Sequence, residues 1–197
     1  VDGPDSSLPD VTTSMSATTP SIAAGTTVGT VALTVSDLDR ARAFYEPVLG
    51  LTARELEDGR LALGVPDEPA LVTLRGDPAA PALNPRATGL FHLAIVTPSR
   101  RELGYALARL ARARWPLSGA SDHLVSEALY LNDPDGNGIE IYRDRDRGER
   151  RTDDDGQLAM ATLRLDLQSL ADELTDAPTV PDRLPAGTRM GHVHLQV

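Results

Sequence analysis

The chain has 197 residues, 41% hydrophobic but only 4% aromatic, with no cysteine and a formal net charge of −10 at pH 7. That length suits one domain of two repeats, or one domain with tails. The acidity excludes a nucleic-acid binder, since no basic patch would outweigh repulsion from phosphate, and the lack of cysteine excludes disulfides, thiolate metal sites and cysteine nucleophiles. No apolar run approaches the ~20 residues that cross a bilayer, and the N-terminus lacks the basic-then-apolar order of a secretory signal. A soluble cytoplasmic protein without membrane partners is expected.

Residues 1–27 are rich in Ser, Thr, Pro, Asp and Gly and show almost no apolar periodicity, which predicts a disordered tail; Met15 is a candidate natural start. A strand from Val28 to Val35 leads into Ser36-Asp37, a good helix start, and Leu38, Ala41, Phe44 and Val48 carry helical spacing up to Gly50. Three short strands follow, over 51–56, 60–65 and 70–74, with the hairpin signal Asp58-Gly59 between the first two. The order is βαβββ. Pro78, Pro81 and Pro85 mark a linker over 76–88.

A second strand runs from Gly89 to Thr97. Ser99 and Glu102 form a capping box, and Leu103, Leu107 and Leu110 stripe a helix that ends near Arg114. A short strand near Trp115–Ser118 and two more over 127–131 and 138–142 would complete another βαβββ, the last two joined by the turn-rich Asp133-Pro134-Asp135-Gly136-Asn137-Gly138. Arg143 to Arg151 alternate with Asp144, Asp146 and Glu149, which predicts a solvated turn. A short strand (161–165), helical turns (167–174) and a Pro-containing linker (176–188) precede a final strand opened by Arg189-Met190-Gly191. The expected organisation is a domain over 28–145 with modules 28–75 and 89–145, a connecting segment 146–188, and the first strand of a third module over 189–197.

Three strands share a frame: Thr30 to Val35, His92 to Thr97, and His192 to Val197. Alternation gives each an apolar face and puts Thr, His and His at one fixed place on the other. Two imidazoles and one carboxylate can hold a divalent metal and leave positions open for substrate. His92 and, between Ile139 and Ile141, Glu140 are candidates of this kind, although a solvent-facing Glu and a satisfied core His explain the same pattern. His123, in Gly119 to Ser126, reads either as a base near the site or as a loop histidine bonded to Asp122; His192 and His194 point to one face.

These residues resemble a known family. Val35-Ser36-Asp37-Leu38, Phe44-Tyr45, Leu49-Gly50-Leu51 and Asp133 to Glu140 are similar to the vicinal oxygen chelate superfamily, which groups glyoxalase I, bleomycin-resistance proteins and type I extradiol dioxygenases. Gly119 to Tyr130 and Gly187 to His194 resemble its bacterial catechol-2,3-dioxygenase-like branch. The resemblance implies an α+β fold in which paired βαβββ modules form a cupped, curved mixed sheet. It implies ligand positions at Thr30 and Thr73 in the first module and His92 and Glu140 in the second, a set short of a full triad. His192 would be the first ligand of a second site completed beyond Val197. The implied activity is ring opening of a small aromatic diol by O2 with Fe(II), or alternatively Mn(II), His123 acting as acid or base and His194 and Tyr142 contacting substrate. On this reading the chain is the N-terminal part of such an enzyme, inactive as it stands and with no ion necessarily bound, and self-association is left open. The alternatives are a metal-poor binder of a small planar molecule and a glyoxalase-like lyase.

Overall fold

The computed structural model describes residues 21–84, 86–153, 155–177 and 179–197. Most of the tail expected to be disordered lies outside these residues. The first module is β1 (Val31–Val35), α1 (Leu38–Tyr45), β2 (Thr52–Glu55), β3 (Leu61–Gly64) and β4 (Val72–Gly76). The second is β5 (Gly89–Val96), α2 (Arg100–Arg112), β6 (Gly119–Asp122), β7 (Ser126–Asn132) and β8 (Gly138–Asp144). The sheet orders β1-β4-β3-β2 and β5-β8-β7-β6 are the same, first and last strands parallel in each. This is the α+β architecture of repeated βαβββ modules. Beyond it, β9 (Leu163–Arg164) pairs with β6, and β10 (Arg189–Gln196) runs antiparallel along β5, making that sheet six-stranded.

Local chemistry sets the helix starts. Asp37 and Ser99 are extended N-caps whose side chains accept from Arg40 N and Glu102 N, each satisfying an amide that has no partner inside its helix. Ala41, Phe44 and Tyr45 of α1 and Leu103, Ala106 and Leu110 of α2 are buried in one core with the inward residues of both sheets. Each such large apolar side chain contributes roughly 1.5–3 kcal/mol. The expected strand at Trp115–Ser118 is displaced to β6. Trp115 packs on Phe44 at 4.6 Å between ring centroids and donates its Nε1–H to the Asn132 carbonyl, and Pro116 has no N–H to give to a ladder.

The turn at Asp133 also joins the modules. The Asp133 carboxylate accepts from the amides of Asp135 and Asn137 and from the Tyr45 hydroxyl at 3.0 Å. Burial first, and then the Asp133 charge, hold that hydroxyl well above the ordinary tyrosine range.

The arginine-rich stretch is the expected solvated turn only beyond β8: residues 146–149 are exposed, whereas Arg143, at the end of β8, and Arg145 turn inward. Arg143 is 7% exposed and lies opposite Glu127 across the β7–β8 pair. The Glu127 carboxylate accepts from Arg143 Nε at 2.8 Å, Arg100 Nε at 2.9 Å and Arg145 Nη2 at 3.2 Å. Alternation puts Glu127 and Arg143 on one sheet face, and Arg100 from α2 and Arg145 from beyond β8 close on the same carboxylate, so that the charges neutralise one another.

The connecting segment returns across α2. Within it α3 (Leu167–Asp172) buries Leu170 against that helix, Arg100 Nη1 donates to the Ser169 carbonyl, and Arg109 Nη1 donates to the Pro181 carbonyl. Leu184 N then bonds the Gly50 carbonyl at 2.8 Å. This path delivers β10 to the edge of β5. Among the described residues, no helix is long and apolar enough to cross a membrane.

Candidate metal centre

Period-two alternation splits the larger sheet into a core face and a cup face. Leu93 and Ile95 of β5, Ile139 and Ile141 of β8, and Leu129 and Leu131 of β7 lie in the main core. The residues between them face the cup. Ala94, Val96, Ala128 and Tyr142 form a small apolar floor there, with Tyr130 against it. Ala94 pairs with Glu140 on one side and His192 on the other. Its methyl group is small enough to let the two longer side chains converge above it, and His92 reaches in from two residues earlier on β5.

The resulting cluster is tight. His92 Nε2 lies 3.0 Å and His192 Nε2 3.2 Å from the same oxygen, Glu140 Oε2, and the two nitrogens are 3.3 Å apart. His92 is 7% and Glu140 4% exposed, while His192 is half exposed at the cup mouth. Ligand atoms at ~2.1 Å from one ion and at right angles to each other would be about 3.0 Å apart. The donor set and its spacing therefore fit a divalent ion held on one side and open on the other. Among the described residues this is the group of His, Asp or Glu side chains arranged to hold a metal.

The placement differs from the split expected from sequence, in which His192 opened a separate site. An antiparallel pairing with β5 brings its ring beside His92. Thr30 and Thr73 take no part. Thr30 donates its hydroxyl to the Ala70 carbonyl at 2.6 Å, and Thr73 pairs within the four-stranded sheet.

His123 sits at the β6–β7 turn on the wall of the same cavity, of ≈ 610 Å3, which is also lined by Phe91, Tyr130, Met160, Thr162 and His194. Its Nδ1 lies 3.2 Å from the Ala161 carbonyl and its Nε2 2.9 Å from the Tyr130 hydroxyl. A carbonyl only accepts, so Nδ1 carries a proton, and in the neutral ring Nε2 accepts from the Tyr130 hydroxyl. So His123 is not bonded to Asp122, whose carboxylate instead pairs with Arg145 at 2.7 Å. Another cleft, of ≈ 650 Å3, lies near Ser36, Arg75 and Asp135, but no imidazole lines it and the metal-type donors converge elsewhere.

Tyr130 is a site residue the sequence reading passed over. It lies directly opposite Glu140 in the β7–β8 ladder, and that parity on β7 was the available signal. Burial, then the Glu140 charge, raise its hydroxyl above the usual tyrosine range. His194 stacks edge-on to Phe91 at 4.9 Å and to His92 at 5.0 Å at the cavity rim, where a substrate contact was expected. Tyr142 does not line the cavity. It is 8% exposed and packs beneath His192, with ring centroids 5.4 Å apart. Burial, then Asp144, push its hydroxyl up to about 12.

The fold and this centre define a class. The chain belongs to the Glyoxalase/Bleomycin resistance protein/Dioxygenase superfamily, which it matches over residues 27–141. It is 42% identical over 178 residues to the catechol-2,3-dioxygenase of Bacillus subtilis (strain 168), a match that covers 90% of this chain and 61% of that protein. The chain thus spans less than two thirds of this curated relative. A glyoxalase/dioxygenase from Nostoc punctiforme shares the fold, with a TM-score of 0.54 and 23% identity over 65% of this chain and 99% of that one. The cppA protein of Streptococcus pneumoniae gives a TM-score of 0.54 at 13% identity over 87% of this chain and 61% of that one.

Proposed function

We propose that His92, Glu140 and His192 hold a ferrous ion and that the protein to which they belong is an extradiol-type dioxygenase acting on a catechol and O2. The observation that carries this reading is the convergence of three metal-type donors, from strands far apart in sequence, on one side of an open cavity. The 42% identity to a catechol-2,3-dioxygenase supports the substrate class. Two imidazoles and one carboxylate leave a single positive charge on a divalent ion, which suits a dianionic or monoanionic diol as partner. When bound, the ion supplies the redox and Lewis-acid chemistry that lets a diol and dioxygen react.

The chain's own residues do the rest. Glu140 and the buried His92 are fixed by the β5–β8 ladder, so the donors keep their geometry without an ion. Tyr130 Oη and His123 Nε2 form a proton path beside them: in the tautomer with its proton on Nδ1, Nε2 can take the proton that a substrate hydroxyl passes through Oη. The Ala161 carbonyl stabilises the resulting imidazolium through Nδ1–H. Phe91 and His194, edge-on to one another, give the cavity rim two aromatic rings against which a substrate ring can pack. Ferrous iron requires a reducing setting, so a cytoplasmic location is part of this reading.

The test has two parts. Anaerobic calorimetry of the purified chain with Fe(II) should show one site, lost in His92→Ala and in Glu140→Ala. Addition of catechol and O2 to protein of the relative's length should consume O2 and form a coloured ring-opened product. A wild-type chain that binds no divalent ion sinks the reading.

A further inference from the structure

Met190 and His192 are two residues apart on one strand, yet they face opposite sides of the sheet. Met190 is 3% exposed in the main core and pairs with Ile95, a core residue; His192 pairs with Ala94 on the cup floor. In a regular strand residues i and i+2 share a face. The register shift between Met190 and His192 removes the conflict by inserting Gly191 as an extra, unpaired residue. Without that bulge a strand anchored by Met190 would carry both His192 and His194 into the core side, because a one-residue slip inverts every side chain.

Gly191 is the residue that permits the bulge here. A Cβ added to it would collide with the Tyr142 hydroxyl and lie 2.8 Å from the ring carbons Cε1 and Cζ. The Tyr142 ring occupies the space that a side chain would need, and its own burial among Ala94, Val96 and Ala128 limits retreat. Tyr142 stands two residues after Glu140 on β8 and has its ring beside that of His192. It therefore fills the gap between the strand that carries the carboxylate and the bulge that sets the imidazole.

We propose that Gly191 and Tyr142 are a positioning pair: the ring of Tyr142 packed into the side-chain gap of Gly191 locks the β10 bulge and so turns His192 toward Glu140. Tyr142 acts through His192 and touches neither ion nor substrate. The inference rests on the metal reading above for its consequence, but the bulge itself can be read in the metal-free chain.

The experiment compares the 197-residue chain with Gly191→Ala, Tyr142→Leu and the double variant, using His192→Ala as the control. The probe is Co(II) alone, followed by its visible absorption and by calorimetry. Amide hydrogen exchange over β10 is measured without metal. Gly191→Ala should lower Co(II) affinity about 10- to 100-fold, the range typical when support of a ligand is lost. It should speed exchange in β10 and leave β7 unchanged. Tyr142→Leu should act in the same direction, and the double variant should recover much of both losses, because the new methyl group fills the space the ring has left. A Gly191→Ala chain with wild-type affinity and wild-type exchange in β10 overturns the pair. So does a double variant no better than Gly191→Ala. If Gly191→Ala does not fold, Tyr142→Leu decides: unchanged affinity and exchange overturn the proposal. If no variant, nor the wild type, binds Co(II), the metal reading fails, while the exchange data still decide the lock.

Discussion

Glu140→Gln separates a metal ligand from a structural ion pair. Glu140 is 4% exposed, and its ion-pair partners among the described residues are His92 and His192. A buried carboxylate carries a desolvation cost of several kcal/mol that imidazoles repay only in part. Glutamine keeps the shape and removes the charge. Without metal, at pH 8, the variant should be no less stable than wild type, because the amide keeps a hydrogen bond to the imidazoles and removes a buried charge. With metal the wild type should be the more stable. At free Mn(II) or Fe(II) a hundredfold above its dissociation constant, wild type should gain about 2.7 kcal/mol. A domain of this size shifts by roughly 2–4 °C per kcal/mol, so that gain is a rise of about 5–11 °C, and the variant should show almost none of it. The assay is thermal unfolding by circular dichroism, with and without metal, and with a chelator added back. A variant that melts below wild type in the metal-free state, or that keeps the metal-induced rise, refutes the assignment of Glu140 as a carboxylate maintained for an ion.

Glu127→Ala should cost about 3–5 kcal/mol in urea unfolding, since it leaves the buried Arg143 with Glu149 alone while Arg100 and Arg145 lose their inner contact; a loss under 1 kcal/mol would show the network to be solvated. Arg109 is fully buried, with Nε and Nη2 unbonded, and burial pushes its guanidinium down to about 10. The folded state then releases this proton before the unfolded one does. Wild-type stability should rise relative to Arg109→Met as pH climbs from about 10 towards the ordinary arginine value. Below that window Arg109→Met should be the more stable by about 1–3 kcal/mol, and thermal melts at pH 8 and pH 11 check both. In protein of the relative's length, if the proposed ring cleavage is observed, Tyr130→Phe should leave metal affinity within about twofold but lower kcat by about 10²-fold, the low end for loss of a proton-transfer partner; equal kcat would remove Tyr130 from the proton path.

Much of the scaffold was legible in the amino-acid sequence because its signals are local. Asp37 and Ser99 cap helices wherever such helices form, and Asp133 to Gly138 folds back on its own carboxylate. The alternation of Ile139, Glu140 and Ile141 puts Glu140 off the core face whatever the neighbours are. His92 and Glu140 could be paired from the repeat alone, because first and last strands of a βαβββ module lie side by side. What only the tertiary structure decided was long-range. Whether β10 begins a separate site or completes this one depends on which sheet edge it joins, and the antiparallel pairing with β5 is set by a connector packed over α2. The face on which His192 appears depends on one extra residue at Gly191, which periodicity cannot see because a bulge breaks the period. Tyr130 and the Glu127 network were missed for a related reason. Their partners lie across strands, where the register, and not the spacing along the chain, decides which side chains meet.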